Sequence, residues 1–374
     1  VSEPSATPSG APGRAASGRA ATEGVAADRD EWAGRFLQQA DACDELGSTL
    51  YGRLLRLLAA DVAAGGPTWD VVAPQAGLRF GQAGPLRLVG AAHRLALAGD
   101  EPDWASVLPS CGGRPPERDD ELLAAWRGLA ARRAAELSAG MTREVQTNEV
   151  ARAAGLALGL SRAGLPDGVR LVELGCSGGL NLRLDRFRIE LGRQVLGDPH
   201  SAVRLRPELR SPFGVSPALP RVAERIGLDP DPVEATTRDG ALTLQSFVWP
   251  DQSGRLARLR AALEVAREVP AELRRTGDTA GSLEEVLAGP PSPTVVQHSI
   301  VWQYVPTGQR WRITSVLEAA GTAATAAAPL AWVRFEPDEW NRTRAAVWLR
   351  TWPGGGDRLV AHADYHGRWL APVA

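Results

Sequence analysis

The sequence predicts an α/β protein: a largely parallel sheet ending in an antiparallel hairpin, joined to an all-helical N-terminal domain. Three observations carry that expectation. Residues 169–174, Val-Arg-Leu-Val-Glu-Leu, form a short β-branched run and lead into a turn of small residues at 175–179. A run of that kind reads as a strand buried on both faces. Residues 29–144 repeat apolar side chains at spacings of three and four, which reads as amphipathic helices. Residues 345–352 and 358–362 flank Pro353-Gly354-Gly355-Gly356-Asp357, a hairpin signal.

Composition bounds the function. With 374 residues the chain holds two domains or one large decorated α/β domain. The net charge of −2 gives no electrostatic case for nucleic acid or an anionic membrane as a partner. All 42 basic residues are arginine, which together with abundant Ala, Gly and Pro points to a GC-rich genome. Cys43, Cys111 and Cys176 are far apart and lack metal-site spacing, so a reduced, cytoplasmic protein is expected. Neither a membrane-spanning stretch nor a signal peptide is read.

In chain order, residues 1–28 are rich in Ser, Ala, Gly, Pro and Thr and are expected to form a disordered tail. The helical domain covers 29–144, with helices over 29–64, 86–98 and 119–138 and a Pro/Gly-rich loop at 109–116. The α/β domain covers 145–374. Thr147 or Asn148 is placed to cap the helix ahead of the first strand, and Asn148 is also a candidate to reach a ligand. Glu173 ends the first strand and faces the turn of Gly175, Ser177 and Gly179, where backbone N–H groups are expected to converge. A carboxylate there suits a hydroxyl- or amine-bearing ligand better than a bare pyrophosphate.

Residues 183–218 read as an insertion over the ligand crevice, with a hairpin through 186–196 and a strand at 203–209. Residues 220–226 read as helical. Asp251, in Trp249-Pro250-Asp251-Gln252, is placed to cap the helix at 255–268 or to line the pocket. Asp278 is placed to cap a helix running through Leu283. An apolar strand runs from Thr294 to Gln297 and delivers His298, Trp302 and Tyr304 at its carboxyl end, where open parallel sheets bind ligands. His298 is a candidate general base or a backbone-bonded structural histidine. A helix at 308–320 and a strand at 330–336 precede the hairpin. His362, Asp364 and His366 are assigned to strand edges, and no metal is expected.

The spacing Glu173-x-Gly175-x-Ser177-x-Gly179 resembles the first motif of the class I S-adenosylmethionine-dependent methyltransferases, with serine in place of the middle glycine. Residues 225–229, Arg-Ile-Gly-Leu-Asp, resemble the end of that family's second strand. The resemblance implies a Rossmann-like methyltransferase sheet with a C-terminal antiparallel hairpin and S-adenosylmethionine as cofactor. It implies cofactor contacts from Asn148, Glu173, Gly175, Ser177, Gly179 and His298. Asp229 would hold the ribose, with Asp231 and Asp198 as competitors, and Asp278 the adenine amino group. His298, Asn181 and Tyr304 are the candidate catalytic residues, with Asn181 supporting the turn or the substrate.

The chain also resembles a family of uncharacterised proteins from high-GC bacteria. The shared segments are Gln-Thr-Asn-Glu-Val at 146–150, the glycine turn through Leu182, Val-Trp-Pro-Asp-Gln at 248–252 and His-Ser-Ile-Val-Trp-Gln-Tyr at 298–304. The expected function is a transferase that methylates a small-molecule acceptor. Two alternatives stand beside it: other sulfonium chemistry (aminocarboxypropyl transfer, cyclisation or elimination) and a non-catalytic nucleoside-binding module. The sequence allows a homodimer.

Overall fold

The computed structural model describes residues 14–212, 214 and 217–373. The chain divides into two units, 1–145 with 249–252, and 146–248 with 253–374.

The first unit is helical: α1 (Arg14–Glu45), α2 (Thr49–Ala63), α3 (Pro67–Val72), α4 (Gly84–Ala98), α5 (Pro102–Ala105) and α6 (Asp119–Gly140). Of the expected tail, residues 1–13 lie outside the described residues, and α1 begins at Arg14, inside that stretch. The start is rich in alanine and arginine, which favour helix. Trp32, Phe36, Leu54, Leu58, Leu88, Leu122, Trp126 and Leu129 form the core, and Trp249 joins it. Asp251 does not cap the helix that comes after it. Its carboxylate accepts from the Leu50 N–H at 3.0 Å and from the Ser48 hydroxyl at 2.7 Å, at the N-terminus of α2.

The second unit contains α7 (Ala153–Ser161), β1 (Val169–Leu174), β2 (Arg188–Leu191), β3 (Gln194–Gly197), β4 (Arg204–Leu205), β5 (Glu208–Leu209) and β6 (Val222–Asp229). After these come α8 (Arg238–Ser246), α9 (Ser253–Glu268), β7 (Glu272–Arg275), α10 (Thr279–Leu287), β8 (Thr294–Ser299) and α11 (Thr307–Ala323). The last strands are β9 (Leu330–Pro337), β10 (Ala345–Trp352), β11 (Asp357–Ala363) and β12 (Trp369–Pro372). One large mixed sheet has the order β5-β12-β11-β10-β9-β8-β1-β6-β7, and β3-β2-β4 form a small one. The run β7, β6, β1, β8, β9 is parallel throughout. From β9 onward the sheet is an antiparallel meander that continues past the expected hairpin to β12.

Residues 220–226 are not helical; they enter β6, which lies between β1 and β7. A short apolar run is ambiguous between helix and strand, and pairing on both edges decides it here. Both faces of the sheet are covered, as a parallel sheet requires. Leu171, Val295, Val333 and Phe335 pack on one face in a core shared with Leu156 and Leu160 of α7. Val172, Leu174, Ile226, Val296 and Trp332 pack on the other with Leu283 of α10 and with Ile313 and Leu317 of α11. Among the described residues no helix is long and apolar enough to cross a membrane.

Candidate functional site at the carboxyl ends of the central strands

Strand order runs outward from β1 through β6 on one side and from β8 on the other, so the carboxyl ends of β1 and β8 flank the point where the winding reverses. Such points are where open α/β sheets bind ligands. The turn after β1 holds Gly175 at φ +65°, Ser177 at +50° and Gly179 at +61°. A Cβ on Gly175 would come within 2.2 Å of Val301, so glycine is required there for space as well as for φ. The turn is braced from three directions. Asp229 accepts from the Ser177 N–H at 2.8 Å, Asn148 Oδ1 accepts from the Leu180 N–H at 2.8 Å, and the Gly175 N–H donates to Leu228 O at 2.7 Å.

This bracing corrects one expectation. The N–H groups of Gly175, Ser177, Gly179 and Leu180 are all engaged internally, so they do not converge on a ligand. The turn leads into a 3-10 segment, Leu180–Arg186, with Arg183 out of helical geometry, and that segment offers no α-helix N-terminus. Asn148 is a brace for the turn. The cap of the 3-10 turn Val150–Arg152 is Glu149, not Thr147 or Asn148.

Side chains rather than backbone make the polar cluster. Glu173 and Gln297 are register partners on β1 and β8, on the sheet face that carries Leu171 and Val295. Asn181 joins them from the 3-10 segment, where its backbone oxygen accepts from the Gln297 amide at 3.3 Å. Glu173 Oε2, Asn181 Oδ1, Gln297 Oε1 and Ser177 Oγ are buried with no hydrogen-bond partner. Burial pushes the Glu173 carboxyl up to about 8, with Asp229 adding to the shift and Arg183, Arg152 and the Asn181 amide opposing it. Burial thus holds Glu173 toward its uncharged form.

His298 projects from the opposite face of β8. It is fully buried, its Nδ1 lies 2.6 Å from Glu336 Oε1, and its Nε2 has no partner. Trp302 stacks on the ring at 4.8 Å and 14°. Glu336 also accepts from the N–H groups of Val301 and Trp302, at 3.1 and 3.2 Å. Ile300, just before them, has φ +52°, a strained value for a β-branched residue. Sequence reasoning missed Glu336 and Gln297: an acid ending an apolar strand, and a glutamine inside one, were the available signals.

The remaining candidates separate. Asp229 ends β6 beside the turn, and both its oxygens accept N–H bonds, the second from Asp231 at 2.8 Å. Asp231 pairs with Arg275, and Asp198 accepts from the His200 N–H after β3, away from the large sheet. Asp278 caps α10 through the Gly281 N–H at 3.2 Å and pairs with Arg312 at 2.8 and 2.9 Å. Those bonds, with one from Gln309, hold its carboxyl down to about 2. Tyr304 is 73% exposed, so it is neither core nor part of the buried cluster. Among the described residues no cluster of His, Cys, Asp and Glu has metal-ligand geometry.

A family model described as "Uncharacterized protein conserved in bacteria (DUF2332)" matches residues 33–371. The chain belongs to that family. No curated protein and no solved structure matches it.

Proposed function

We propose that this bacterial family member binds S-adenosylmethionine at the carboxyl ends of β6, β1 and β8 and transfers its methyl group to a small-molecule acceptor. The observation that carries the reading is the set of unpartnered polar atoms on Glu173, Asn181, Gln297 and Ser177. Leaving such a group buried and unpaired costs about 1–3 kcal/mol. All four can accept a hydrogen bond, three of them as carboxyl or amide oxygens, and the ammonium of a methionine moiety has three N–H donors to meet those three. An ammonium beside Glu173 also favours its ionised form. The parallel order β7-β6-β1-β8-β9 supports the reading, as does Asp229 at the end of the strand next to β1. Its carboxylate has about four lone-pair sites, so two remain for ribose hydroxyls.

On this reading the catalysis comes from aligning acceptor and sulfonium, and side chains do little chemistry. Glu336 fixes the tautomer and orientation of His298, whose free Nε2 is the candidate base for the acceptor proton. The burial of that ring beneath Trp302 favours a second reading, a nucleoside-binding module without turnover.

Calorimetric titration with S-adenosylmethionine and S-adenosylhomocysteine tests the proposal. Wild-type protein is expected to bind both, and Glu173→Ala and Asp229→Ala to lose binding. No binding to the wild type sinks the reading. Product analysis then separates the chemistries: S-adenosylhomocysteine marks methyl transfer, methylthioadenosine marks aminocarboxypropyl transfer, cyclisation or elimination, and neither marks the binding module.

A further inference from the structure

We propose that Arg152 is a recognition residue for a carboxylate, carried by the acceptor and held at the carboxyl end of β8. The anion site stands on geometry alone; its assignment to an acceptor rests on the transferase reading above. Arg152 is 8% exposed and ends the 3-10 turn that leads into α7. Its Nε donates to Tyr365 O at 2.9 Å and its Nη1 to Ser299 O at 3.4 Å. Among the described residues no carboxylate lies within 4.0 Å of it, and Nη2 donates to nothing. A guanidinium has five N–H donors in a planar fork, so an edge fit for bidentate contact is left over.

Two other arginines of this unit have the carboxylate that Arg152 lacks. Arg225 has Asp185 at 2.8 Å through both nitrogens, and Arg255 has Glu149 at 2.6 Å. Arg183 also donates to backbone carbonyls only, at Gly179 and Val269. Val269 lies just past the C-terminus of α9, where a helix dipole welcomes a cation. Arg152 sits instead at the N-cap of α7, where a dipole disfavours a cation and favours an anion. A buried guanidinium at a helix N-terminus, without a carboxylate, is the arrangement an anionic ligand completes.

The surroundings select the anion. Glu149, Glu336 and Arg255 act on Arg152 most strongly among the charged groups, and Arg152 in turn acts on Glu173 and His366. Glu149 is engaged by Arg255 and Glu336 by His298, so neither neutralises Arg152 directly. Their charge still opposes a phosphate dianion more than a carboxylate, which carries one charge and matches the fork. Ser299 is the residue after His298, so a carboxylate on Arg152 fixes the rest of the acceptor at the end of β8.

Ligand-observed NMR with benzoate and its neutral isostere benzamide, alongside S-adenosylhomocysteine titration, tests this. Wild-type protein should prefer benzoate by about tenfold or more, the size of a charge-assisted hydrogen-bond pair. Arg152→Gln should abolish the preference and Arg152→Lys keep part of it, with nucleoside affinity unchanged in Arg152→Lys, which keeps the positive charge that acts on Glu173. Equal binding of benzoate and benzamide to wild type overturns the site, and this arm needs no variant to fold. Retained preference in a folded Arg152→Gln protein overturns it too. Loss of nucleoside affinity in a folded Arg152→Lys protein moves Arg152 to the cofactor and overturns the acceptor assignment. If wild type prefers benzoate but binds no nucleoside, the anion site stands and the transferase reading falls.

Discussion

At the scale of single residues, Glu173 controls the electrostatics of the site. Its carboxyl is pushed up to about 8 in the folded protein against an ordinary 4.5. The folded state therefore keeps a proton that the unfolded state has released, so stability falls as pH rises between those values. His366 acts in the opposite sense at lower pH: burial, aided by Arg255, pushes it down to about 4, so stability rises with pH up to its ordinary 6.5. Between about pH 6.5 and 8 only the Glu173 effect remains of the two, amounting to about 2 kcal/mol. Urea unfolding across that window should show stability declining in the wild type and a flatter profile in Glu173→Gln. Identical profiles would mean that Glu173 is ionised in the free protein. The turn itself was legible: glycine at 175 and 179 and an acid at 173 are signals any strand-to-turn site needs. The deficit at Arg152 was not legible, because it depends on which carboxylates the other arginines take.

At the scale of elements, α7 approaches the sheet through its glycines. A Cβ on Gly155 would meet the Phe335 ring at 2.8 Å and Val347 at 3.1 Å, and one on Gly159 would meet Val333 at 2.6 Å. Gly155→Val should destabilise the protein by roughly 1–3 kcal/mol through overpacking. Thermal unfolding measures that, and an unchanged midpoint would show that the helix can move off the sheet at little cost. A helix ahead of the first strand was expected, and its closeness to the sheet was not. Residues 220–226 were misread as helix because their pairing partners lie far away in the sequence. Asp251 shows the same limit differently. Its side chain does cap a helix, but the helix is α2, some two hundred positions earlier in the chain.

At the scale of the whole molecule, the alternation of strands and helices through residues 294–352 pointed to the parallel sheet and its antiparallel end. The remaining sheet came through less clearly. Residues 183–218 read as one insertion, but they divide between the small sheet and β5, which pairs with β12 at the edge of the large one. Two-residue strands leave no periodic signature. The buried cluster lies where β1 and β8 meet, and both strands were legible, so the neighbourhood of the site could be named before its chemistry could. On the proposed reading this cluster is a nucleoside site and not merely a costly core. A crystal structure with saturating S-adenosylhomocysteine decides between the two. The amino group is predicted to lie against Glu173, Asn181 and Gln297, with the ribose hydroxyls on Asp229. Density for the nucleoside elsewhere, or an unchanged cluster with none bound, would contradict it.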